Sequence, residues 1–474
     1  MPIKPILDAQ AVRERMAEKF PPYSPQEALT EASRCLFCFD APCIMACPTG
    51  IDIPTFIRKI STGNNQGAAK TILSSNILGA SCARVCPTSE LCEGACVVLT
   101  REGDPVKIGR LQRHATDFAQ KNGLRLLTPS KEKTSLRVAV VGAGPAGLAC
   151  AAELAMQGAS ATVFERKPLG GGLNTYGIAY YKMKPEISVS EVEMIRELGV
   201  EFRYDTEVGR DVSPQSLLQD FDAVFLGVGL GEGRRLGIPG ENLPDVVDAI
   251  EFIEWIHKMP LDEVPLGRNV IVLGGGNTAI DAVTQARRLG ADVATIIYRR
   301  DASAMGAYEF EQEFALQDGA RFLFGAVPVA IEGDENGVTG LRTARTIVRN
   351  GRVEISPGSE KVEPCDMIIK AVGQKKQGDI AQKWFPDLAT DAEGRILHDP
   401  VTHQTNVPKI YVGGDCANGG REVVNAVAEG KKAAQAILGK MIPVVQPSRL
   451  GAKKPYGSGF ENPVRVRELQ MSKS

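Results

Sequence analysis

The chain has 474 residues, too many for one ordinary hydrophobic core, so we expect two to four domains. With 43% hydrophobic and 24% charged residues it has a globular composition, and its formal charge of -2 excludes the basic footprint of a nucleic-acid-binding protein. No apolar run reaches the roughly 18 to 20 residues that span a membrane, and the N-terminus lacks the apolar centre of a signal peptide, so we expect a cytoplasmic protein.

The first part of the chain is predicted to be helical. Ser24 is a candidate N-cap, Pro25 stands at the first helical position, and Glu27 completes a capping box. We therefore expect residues 1–130 to form an α-helical domain. The polar segment "TPSKEKTS", residues 128–135, predicts a linker after it.

Eight of the eleven cysteines lie within this helical region, in "CLFCFDAPCIMACP" (35–48) and "CARVCPTSELCEGAC" (82–96). Reduced thiols clustered in a large cytosolic protein favour metal binding over disulfides. Two zinc sites of four thiolates each remain one alternative. The spacing C-x2-C-x4-C-x3-C-P is closer to bacterial ferredoxin runs, whose fourth cysteine ligates the other cluster, and it favours iron-sulfur clusters. The outlying Cys150, Cys365 and Cys416 are expected to be core residues.

A dinucleotide fingerprint follows the linker. Gly142, Gly144 and Gly147 form G-x-G-x-x-G between a predicted strand and a predicted helix. In this motif the first glycine permits a tight turn, the second lets the backbone approach a pyrophosphate, and the third lets helix and strand pack closely. Glu165 ends the next strand, where a carboxylate hydrogen-bonds a ribose hydroxyl. The unit therefore predicts a dinucleotide-binding domain.

The pattern recurs at Gly274, Gly276 and Ala279, which form G-x-G-x-x-A. Here the following strand ends in Arg299 and Arg300 instead of an acid. Guanidinium groups at this position suit a 2′-phosphate, so NADP(H) is favoured, with NAD(H) still possible. A solvated basic strand end is the alternative interpretation.

A third motif, "KIYVGGDCANG", lies near the C-terminus. It resembles the second flavin motif of two-dinucleotide-binding flavoproteins, in which the aspartate, here Asp415, meets the ribitol chain. No C-x-x-C pair lies near either fingerprint, which disfavours a disulfide reductase. The predicted fold is an α-helical iron-sulfur domain followed by two α/β Rossmann-like domains, with the NADP domain inserted into a discontinuous FAD domain. The expected boundaries are 131–240 and 376–445 for FAD, 241–375 for NAD(P)H and 446–474 for a C-terminal tail.

Nearly the whole chain resembles the NADPH-oxidising, FAD and iron-sulfur half of dihydropyrimidine dehydrogenase, which bacteria carry as a separate small subunit. The resemblance rests on "RCLFCFDAPCIMACPT", "LGASCARVCPTSELCEGAC", "IGRLQRHATDF", "VVGAGPAGLA", "VLGGGNTAID" and "VGGDCANG". The chain is also similar, more distantly, to the glutamate synthase small subunit.

This resemblance implies two 4Fe-4S clusters with interleaved ligands. One cluster would be held by Cys35, Cys38, Cys43 and Cys96, and the other by Cys47, Cys86, Cys92 and Gln112. Gln112 stands in "IGRLQ", where the glutamate synthase branch typically carries a glutamate, and it favours the dihydropyrimidine dehydrogenase branch. Cys82 would be a surplus, buried cysteine.

The resemblance also implies the residues that contact the nucleotides. For FAD these are Gly142, Ala143, Gly144, Pro145, Ala146, Gly147, Glu165, Arg166, Gly172, Leu173, Lys182, Val208, Gly414 and Asp415; for NAD(P)H they are Gly275, Gly276, Asn277, Thr278, Arg299, Arg300, Ala371, Val372 and Gly373. Lys182 stands where a flavin-contacting basic residue is expected, although Ala179 replaces the usual proline. Gly306 replaces an arginine that assists the NADP phosphate, so the NADP preference rests on Arg299 and Arg300.

The function implied is the electron-input subunit of dihydropyrimidine dehydrogenase. Hydride from NAD(P)H would reach FAD, and single electrons would pass through the two clusters to a partner. Because the regions above account for the 474 residues, we expect no second flavin barrel for the pyrimidine in this chain. We therefore expect an FMN and iron-sulfur large subunit in a heterotetramer. The alternatives are a glutamate synthase small subunit, a related NADPH:acceptor oxidoreductase, or a scaffold that uses its cofactors structurally.

Overall fold

The computed structural model describes residues 7–349 and 352–439. The tail predicted over residues 446–474 lies outside them. The expected helical N-terminal region is confirmed, since every regular element before residue 137 in the described chain is a helix. These are α1 (Ala9–Arg15), α2 (Pro25–Ser33), α3 (Pro42–Ala46), α4 (Ile53–Ser61), α5 (Asn65–Ser75), α6 (Gly79–Val85), α7 (Val97–Glu102) and α8 (Ile108–Lys121).

Side-chain caps define several of these helices. The capping box at α2 is confirmed: Ser24 Oγ accepts from the Glu27 backbone N–H at 3.3 Å, and Glu27 Oε2 accepts from the Ser24 N–H at 2.7 Å. At α4 the Asp52 side chain caps the helix by accepting from the Thr55 N–H at 3.1 Å. Buried aliphatic and aromatic residues, among them Phe56 and Leu111, form the core between the helices. This domain presents its cysteines from loops and helix ends.

The first strand–helix–strand unit opens a five-stranded parallel sheet, as predicted. Its elements are β1 (Arg137–Val141), α9 (Pro145–Met156), β2 (Ser160–Phe164), α10 (Leu173–Tyr176), α11 (Pro185–Glu197), β3 (Glu201–Arg203), α12 (Pro214–Asp220) and β4 (Ala223–Leu226). The strand order is β14-β4-β1-β2-β3, where β14 (Ile410–Val412) comes from much later in the chain. Two separate chain segments therefore build this sheet.

The second unit forms a second five-stranded parallel sheet. It comprises β5 (Val246–Asp248), α13 (Ala249–Lys258), β6 (Asn269–Leu273), α14 (Asn277–Leu289), β7 (Val293–Tyr298), a 3-10 turn at Ala302–Ala304, α15 (Glu309–Gln317), β8 (Arg321–Phe324) and β13 (Met367–Lys370). The order is β5-β13-β6-β7-β8. Between β8 and β13 lies an antiparallel layer of β9 (Ala326–Asp334), β10 (Gly337–Arg349), β11 (Arg352–Ile355) and β12 (Lys361–Pro364).

The chain then returns to the first sheet. α16 (Gly378–Trp384) leads to β14, and α17 (Asp415–Asn418) and α18 (Val423–Ile437) follow it. α18 packs along α9 beside the first glycine turn, where Gly430 lies against the Ala146 carbonyl. Within the described residues, no helix combines the length and apolarity needed to cross a bilayer.

Candidate functional site

The first glycine turn requires glycine for steric reasons. Gly142 has φ +99°, and a Cβ there would lie 2.5 Å from the Gly227 carbonyl oxygen. A Cβ on Gly147 would lie 2.0 Å from the Gly142 carbonyl oxygen, so α9 packs close to β1 only because this residue has no side chain. Around Gly144 the nearest heavy atom to such a Cβ is 4.0 Å away. The backbone at Gly144 is therefore open to a ligand, as a pyrophosphate requires.

Glu165 lies at the end of β2 beside this turn. Its Oε2 accepts a hydrogen bond from the Ala143 N–H at 2.8 Å, and its Oε1 accepts one from the Lys167 N–H at 2.8 Å. A carboxylate has about four acceptor positions, so two backbone bonds leave capacity for a hydroxyl. The carboxylate is thus held at the turn and can still accept from a ribose.

A cavity of about 570 Å³ opens at this turn. Its size falls in the usual range for small-molecule and cofactor sites. Eleven residues predicted to contact FAD line it: Gly142, Gly144, Pro145, Ala146, Glu165, Arg166, Gly172, Leu173, Val208, Gly414 and Asp415. Ala143 and Gly147 do not line it but belong to the turn beneath it. The glycine cradle and the acidic groups fit an FAD.

Asp415 also lines the cavity, at the start of α17. The residue before it, Gly414, has φ +76° and donates its N–H to Glu429 Oε2 at 2.7 Å. Burial raises the pKa of Asp415, and a hydrogen bond from the Arg421 N–H at 3.3 Å opposes this shift. A ligand hydroxyl donating to Asp415 would stabilise the ionised form in the same way.

Lys182, for which a flavin contact is predicted, does not line the cavity. Its ammonium is buried between Asp281 Oδ1 of α14, at 2.7 Å, and Glu311 Oε2 of α15, at 3.0 Å. Tyr181 adds a hydrogen bond from its hydroxyl to Asp281 Oδ1 at 3.1 Å. Two buried carboxylates attract the cation more strongly than an uncharged ring system could. Lys182 therefore ties the first nucleotide-binding domain to the second.

The second glycine turn is subject to the same steric requirements as the first. Gly274 has φ +149°, and a Cβ there would lie 2.3 Å from the Ala371 carbonyl oxygen. A Cβ on Gly276 would meet nothing within 4 Å, which leaves room for a phosphate. Gly306 donates its N–H to the Gly275 carbonyl at 2.9 Å, so its loop folds over this turn. The turn lies outside the 570 Å³ cavity.

The other predicted nucleotide contacts surround this second turn. Asn277 and Thr278 begin α14, while Ala371, Val372 and Gly373 follow the last residue of β13. Arg299 and Arg300 follow β7, and Arg299 is exposed. Among residues 7–349 and 352–439, neither guanidinium forms an ion pair. Both cations are therefore available to a bound phosphate.

Four cysteines, Cys35, Cys38, Cys43 and Cys96, line one small cavity of about 30 Å³ in the helical domain. These are the four thiols that the resemblance assigns to one cluster. Apolar residues of α4, including Ile53 and Ile57, complete its wall. Burial raises the pKa of Cys43 to about 12. A buried thiol of this kind ionises readily only beside a metal, so the donor set fits a cluster.

The second set comprises Cys47, Cys86 and Cys92. Burial and the neighbouring Glu93 and Cys47 raise the pKa of Cys92. A hydrogen bond with the buried Cys82 and the cost of burial raise the pKa of Cys86. Cys82 is buried, as expected of a surplus cysteine. In the part of the chain that the structure describes, no group of three or more Cys, His, Asp or Glu side chains is arranged for a single metal ion.

Gln112 is buried on α8, with 7% of its surface exposed. Its Nε2 donates to the Gly79 carbonyl oxygen on α6 at 2.7 Å. Earlier on the same face of α8, Gly109 lies against Thr88 and the Ala83 carbonyl, in the segment that leads to Cys92. The side chain thus belongs to the part of the domain that carries the second cysteine set.

No sequence motif predicts several of the residues and contacts in and around the site. Val85, from the helical domain, lines the 570 Å³ cavity together with Asp248 of the second sheet. Tyr308 donates its hydroxyl to Glu422 Oε1 at 2.7 Å, and Glu422 also lines the cavity. Burial raises the pKa of Glu191 to about 7 at the contact between α11 and α6. Each contact joins residues far apart in the chain, where no local motif signals it.

Comparison with known proteins identifies two matched regions. Residues 12–124 match a family described as dihydropyrimidine dehydrogenase domain II, 4Fe-4S cluster, and residues 136–430 match the pyridine nucleotide-disulphide oxidoreductase family.

The small chain of glutamate synthase (NADPH) from Escherichia coli K12 is 38% identical over 442 residues, covering 89% of this chain and 93% of the relative. The NAD-dependent dihydropyrimidine dehydrogenase subunit PreT of Escherichia coli O157:H7 is 36% identical over 422 residues, covering 89% and 96%. AegA of Escherichia coli K12 is 40% identical over 443 residues, covering 89% of this chain and 67% of its own.

Solved structures agree in fold. Mycobacterium tuberculosis FprA in complex with NADPH aligns with a TM-score of 0.52 at 21% identity, covering 65% of this chain and 85% of FprA. Thioredoxin reductase of T. acidophilum aligns with a TM-score of 0.51 at 20% identity, covering 64% and 97%. The resemblance inferred from the motifs is confirmed, as is the interpretation as an NAD(P)H-dependent oxidoreductase with FAD and iron-sulfur clusters. The chain belongs to the pyridine nucleotide-disulphide oxidoreductase family and carries at its N-terminus a 4Fe-4S domain of the dihydropyrimidine dehydrogenase type.

Proposed function

We propose that this chain is the electron-input subunit of a dihydropyrimidine dehydrogenase. It oxidises NAD(P)H and delivers single electrons to an FMN-containing partner that interconverts uracil or thymine with the 5,6-dihydropyrimidines. The similarity to PreT supports this function because it extends over 89% of this chain and 96% of the relative. The helical domain, matched to the dihydropyrimidine dehydrogenase type, supports it independently.

The observation that carries the proposal is the position of Val85. It lines the large cavity, and the next residue is Cys86 of the second cysteine set. Electrons released in the cavity therefore have a short path into the helical domain. FAD supplies the acceptance of a hydride and the release of electrons one at a time. The protein holds the nucleotide at the Gly142 turn, with Glu165 and Asp415 as acceptors for its hydroxyls.

We assign FAD to the first sheet and NAD(P)H to the second, with domain boundaries at 131–240, 241–375 and 376–445. The return of β14 to the first sheet supports a discontinuous FAD domain. Arg299 and Arg300, free of ion pairs in the described chain, support NADP(H), with NAD(H) as the alternative. The NAD(P)H domain would then be an insertion in the FAD domain.

For the clusters we assign Cys35, Cys38, Cys43 and Cys96 to one 4Fe-4S centre and Cys47, Cys86, Cys92 and Gln112 to the other. The shared cavity of the first four thiols supports the first set. The thiols of Cys92 and Cys47 contribute to the raised pKa of Cys86, and that of Cys47 contributes to the raised pKa of Cys92, which supports the second set. Gln112 completes the second set through its buried position on α8.

The complex that we propose is a cytoplasmic heterotetramer. A two-stage experiment tests first the electron-input role of this chain and then the pyrimidine assignment of the complex. Anaerobic titration of the purified chain with NADPH or NADH should bleach the flavin absorbance; failure with both would remove the electron-input role. Co-expression with candidate FMN and iron-sulfur large subunits should then give uracil-dependent NADPH oxidation. If NADPH oxidation in every such complex is indifferent to uracil and thymine, the pyrimidine assignment is wrong.

The second candidate function is that of the small chain of an NADPH-dependent glutamate synthase. The 38% identity to that chain, over 93% of its length, favours it. Under this alternative, NADPH oxidation by the complex would depend on glutamine and 2-oxoglutarate, and uracil would have no effect. The two substrate sets can be compared in one preparation.

A further inference from the structure

A buried carboxylate joins the first nucleotide-binding domain to the iron-sulfur domain. Glu191 of α11 is 1% exposed, and all three of its hydrogen-bond donors belong to α6. Its Oε1 accepts from the Ala80 N–H at 2.7 Å and from the Ser81 N–H at 3.1 Å. Its Oε2 accepts a hydrogen bond from the Ser81 hydroxyl. α6 ends one residue before Cys86.

The same peptide group that contacts Glu191 also contacts Gln112. In the Gly79–Ala80 peptide, the N–H donates to Glu191, while the carbonyl oxygen accepts from Gln112 Nε2 at 2.7 Å. Hydrogen bonds in series polarise one another in a low-dielectric interior. The negative carboxylate at one end therefore strengthens the bond to the Gln112 amide at the other.

This bond determines which atom of Gln112 is free. With Nε2 held by the Gly79 carbonyl, Oε1 is the atom left for an iron. A reversed amide would place its oxygen against the carbonyl oxygen, so the peptide also selects the orientation. Partners behind a ligand commonly fix ligand orientation and tune the metal in this manner.

We propose that Glu191 is a positioning residue for Gln112, acting through the Gly79–Ala80 peptide to orient the amide and to make its cluster harder to reduce. This rests on the proposed function, in which Gln112 is a cluster ligand. A neutral side chain would satisfy the first N–H groups of α6 at lower desolvation cost than a buried carboxylate. The charge itself therefore has a role beyond capping.

The test uses the purified holoprotein and four variants. Glu191→Gln keeps an acceptor and removes the charge, Ser81→Ala removes only the hydroxyl donor, and Glu193→Gln removes the same charge from the exposed side of α11. Each cluster is titrated with dithionite and redox mediators and followed by EPR, at a pH well above the value of about 7 that burial gives the pKa of Glu191. Gln112→Glu identifies the signal of its own cluster.

In Glu191→Gln, the Gln112 cluster should change its EPR signal and shift to a more positive midpoint potential. The four-thiolate cluster and the rate of flavin bleaching by NADPH should stay unchanged, and Ser81→Ala and Glu193→Gln should behave as the parent protein. Loss of the Gln112 cluster alone would also support the proposal. Unchanged clusters, equal shifts in both, or loss of both would overturn it. Because dithionite reduces the clusters directly, the result does not depend on whether NADPH reduces the flavin.

Discussion

At the scale of single residues, the positions within each glycine turn differ in what limits substitution. At Gly142, Gly147 and Gly274 a Cβ would meet a backbone carbonyl within 2.5 Å, so these positions serve the fold. At Gly144 and Gly276 a Cβ would meet nothing closer than 4 Å, so these positions leave space for a ligand. The fingerprint is predictable from sequence because both requirements act within a few residues of each other.

The arginines after β7 give a first prediction. In the double variant Arg299→Gln, Arg300→Gln, the KM for NADPH should rise by about 10- to 100-fold, the value of a charge-assisted phosphate contact of roughly 1.5 to 3 kcal/mol. The KM for NADH should stay within about twofold. Steady-state ferricyanide reduction with each nucleotide measures both. Arg203→Gln, an exposed arginine on β3 of the first sheet, is the matched control. An equal rise for NADPH and NADH would contradict a 2′-phosphate contact.

His403 gives a second prediction, on stability. Burial, with His398 and Lys432 nearby, lowers the pKa of His403 to about 4. The unfolded chain takes up this proton near pH 6.5 and the folded chain only near pH 4, so stability is lost as the pH falls between these values. From pH 6.5 to 5 the loss is at most about 2 kcal/mol. His403→Asn, which tolerates the local φ of +58°, should flatten this decline in urea unfolding curves. If stability falls as steeply with pH in the variant as in the parent protein, groups other than His403 cause the loss.

At the scale of elements, the local patterns predicted both strand–helix–strand units and the capping box of α2. Each of these signals is complete within about thirty residues. The ion pairs of Lys182 were not predicted because its partners, Asp281 and Glu311, lie on α14 and α15, far along the chain. Val85 at the cavity was missed for the same reason. A single sequence carries no local trace of contacts between distant elements.

The Lys182 contact gives a third prediction. Lys182→Met leaves Asp281 and Glu311 buried without their cation, which should destabilise the protein by about 3 to 5 kcal/mol. The flavin absorbance spectrum should not change, because the side chain lies outside the cavity. Thermal unfolding and the visible spectrum of the purified protein check both expectations. Lys184→Met, an exposed neighbour, is the control. A shifted flavin absorbance band with unchanged stability would instead support the predicted contact between Lys182 and the flavin.

At the scale of the whole molecule, the domains differ in what stabilises them. The two sheets have extensive aliphatic cores of their own. In the helical domain, seven of the eight clustered cysteines are only partly buried, and four of them line one small cavity. Free energy from binding clusters is therefore part of the folding free energy of this domain and not of the sheets.

Iron removal gives a fourth prediction. Treatment with a chelator and a mild oxidant should lower the melting temperature of the helical domain by at least about 10 °C, while the transition of the sheets stays in place. Differential scanning calorimetry resolves the two transitions, and flavin fluorescence reports the second. The control is Cys365→Ala, which changes a buried cysteine of the second nucleotide-binding domain and should leave the iron content of the protein unchanged. Transitions that move together would indicate that the clusters stabilise the whole chain equally.

The position of β14 has a consequence for synthesis of the protein on the ribosome. β4 ends at Leu226, and its neighbour β14 begins only at Ile410. At roughly 5 to 20 residues per second, β4 waits about 10 to 40 s for this partner, with its buried apolar edge unpaired. The second nucleotide-binding domain, whose strands are contiguous in the chain, can fold during this interval. We therefore expect the nascent first sheet to be the part of the molecule with the greatest need of a chaperone.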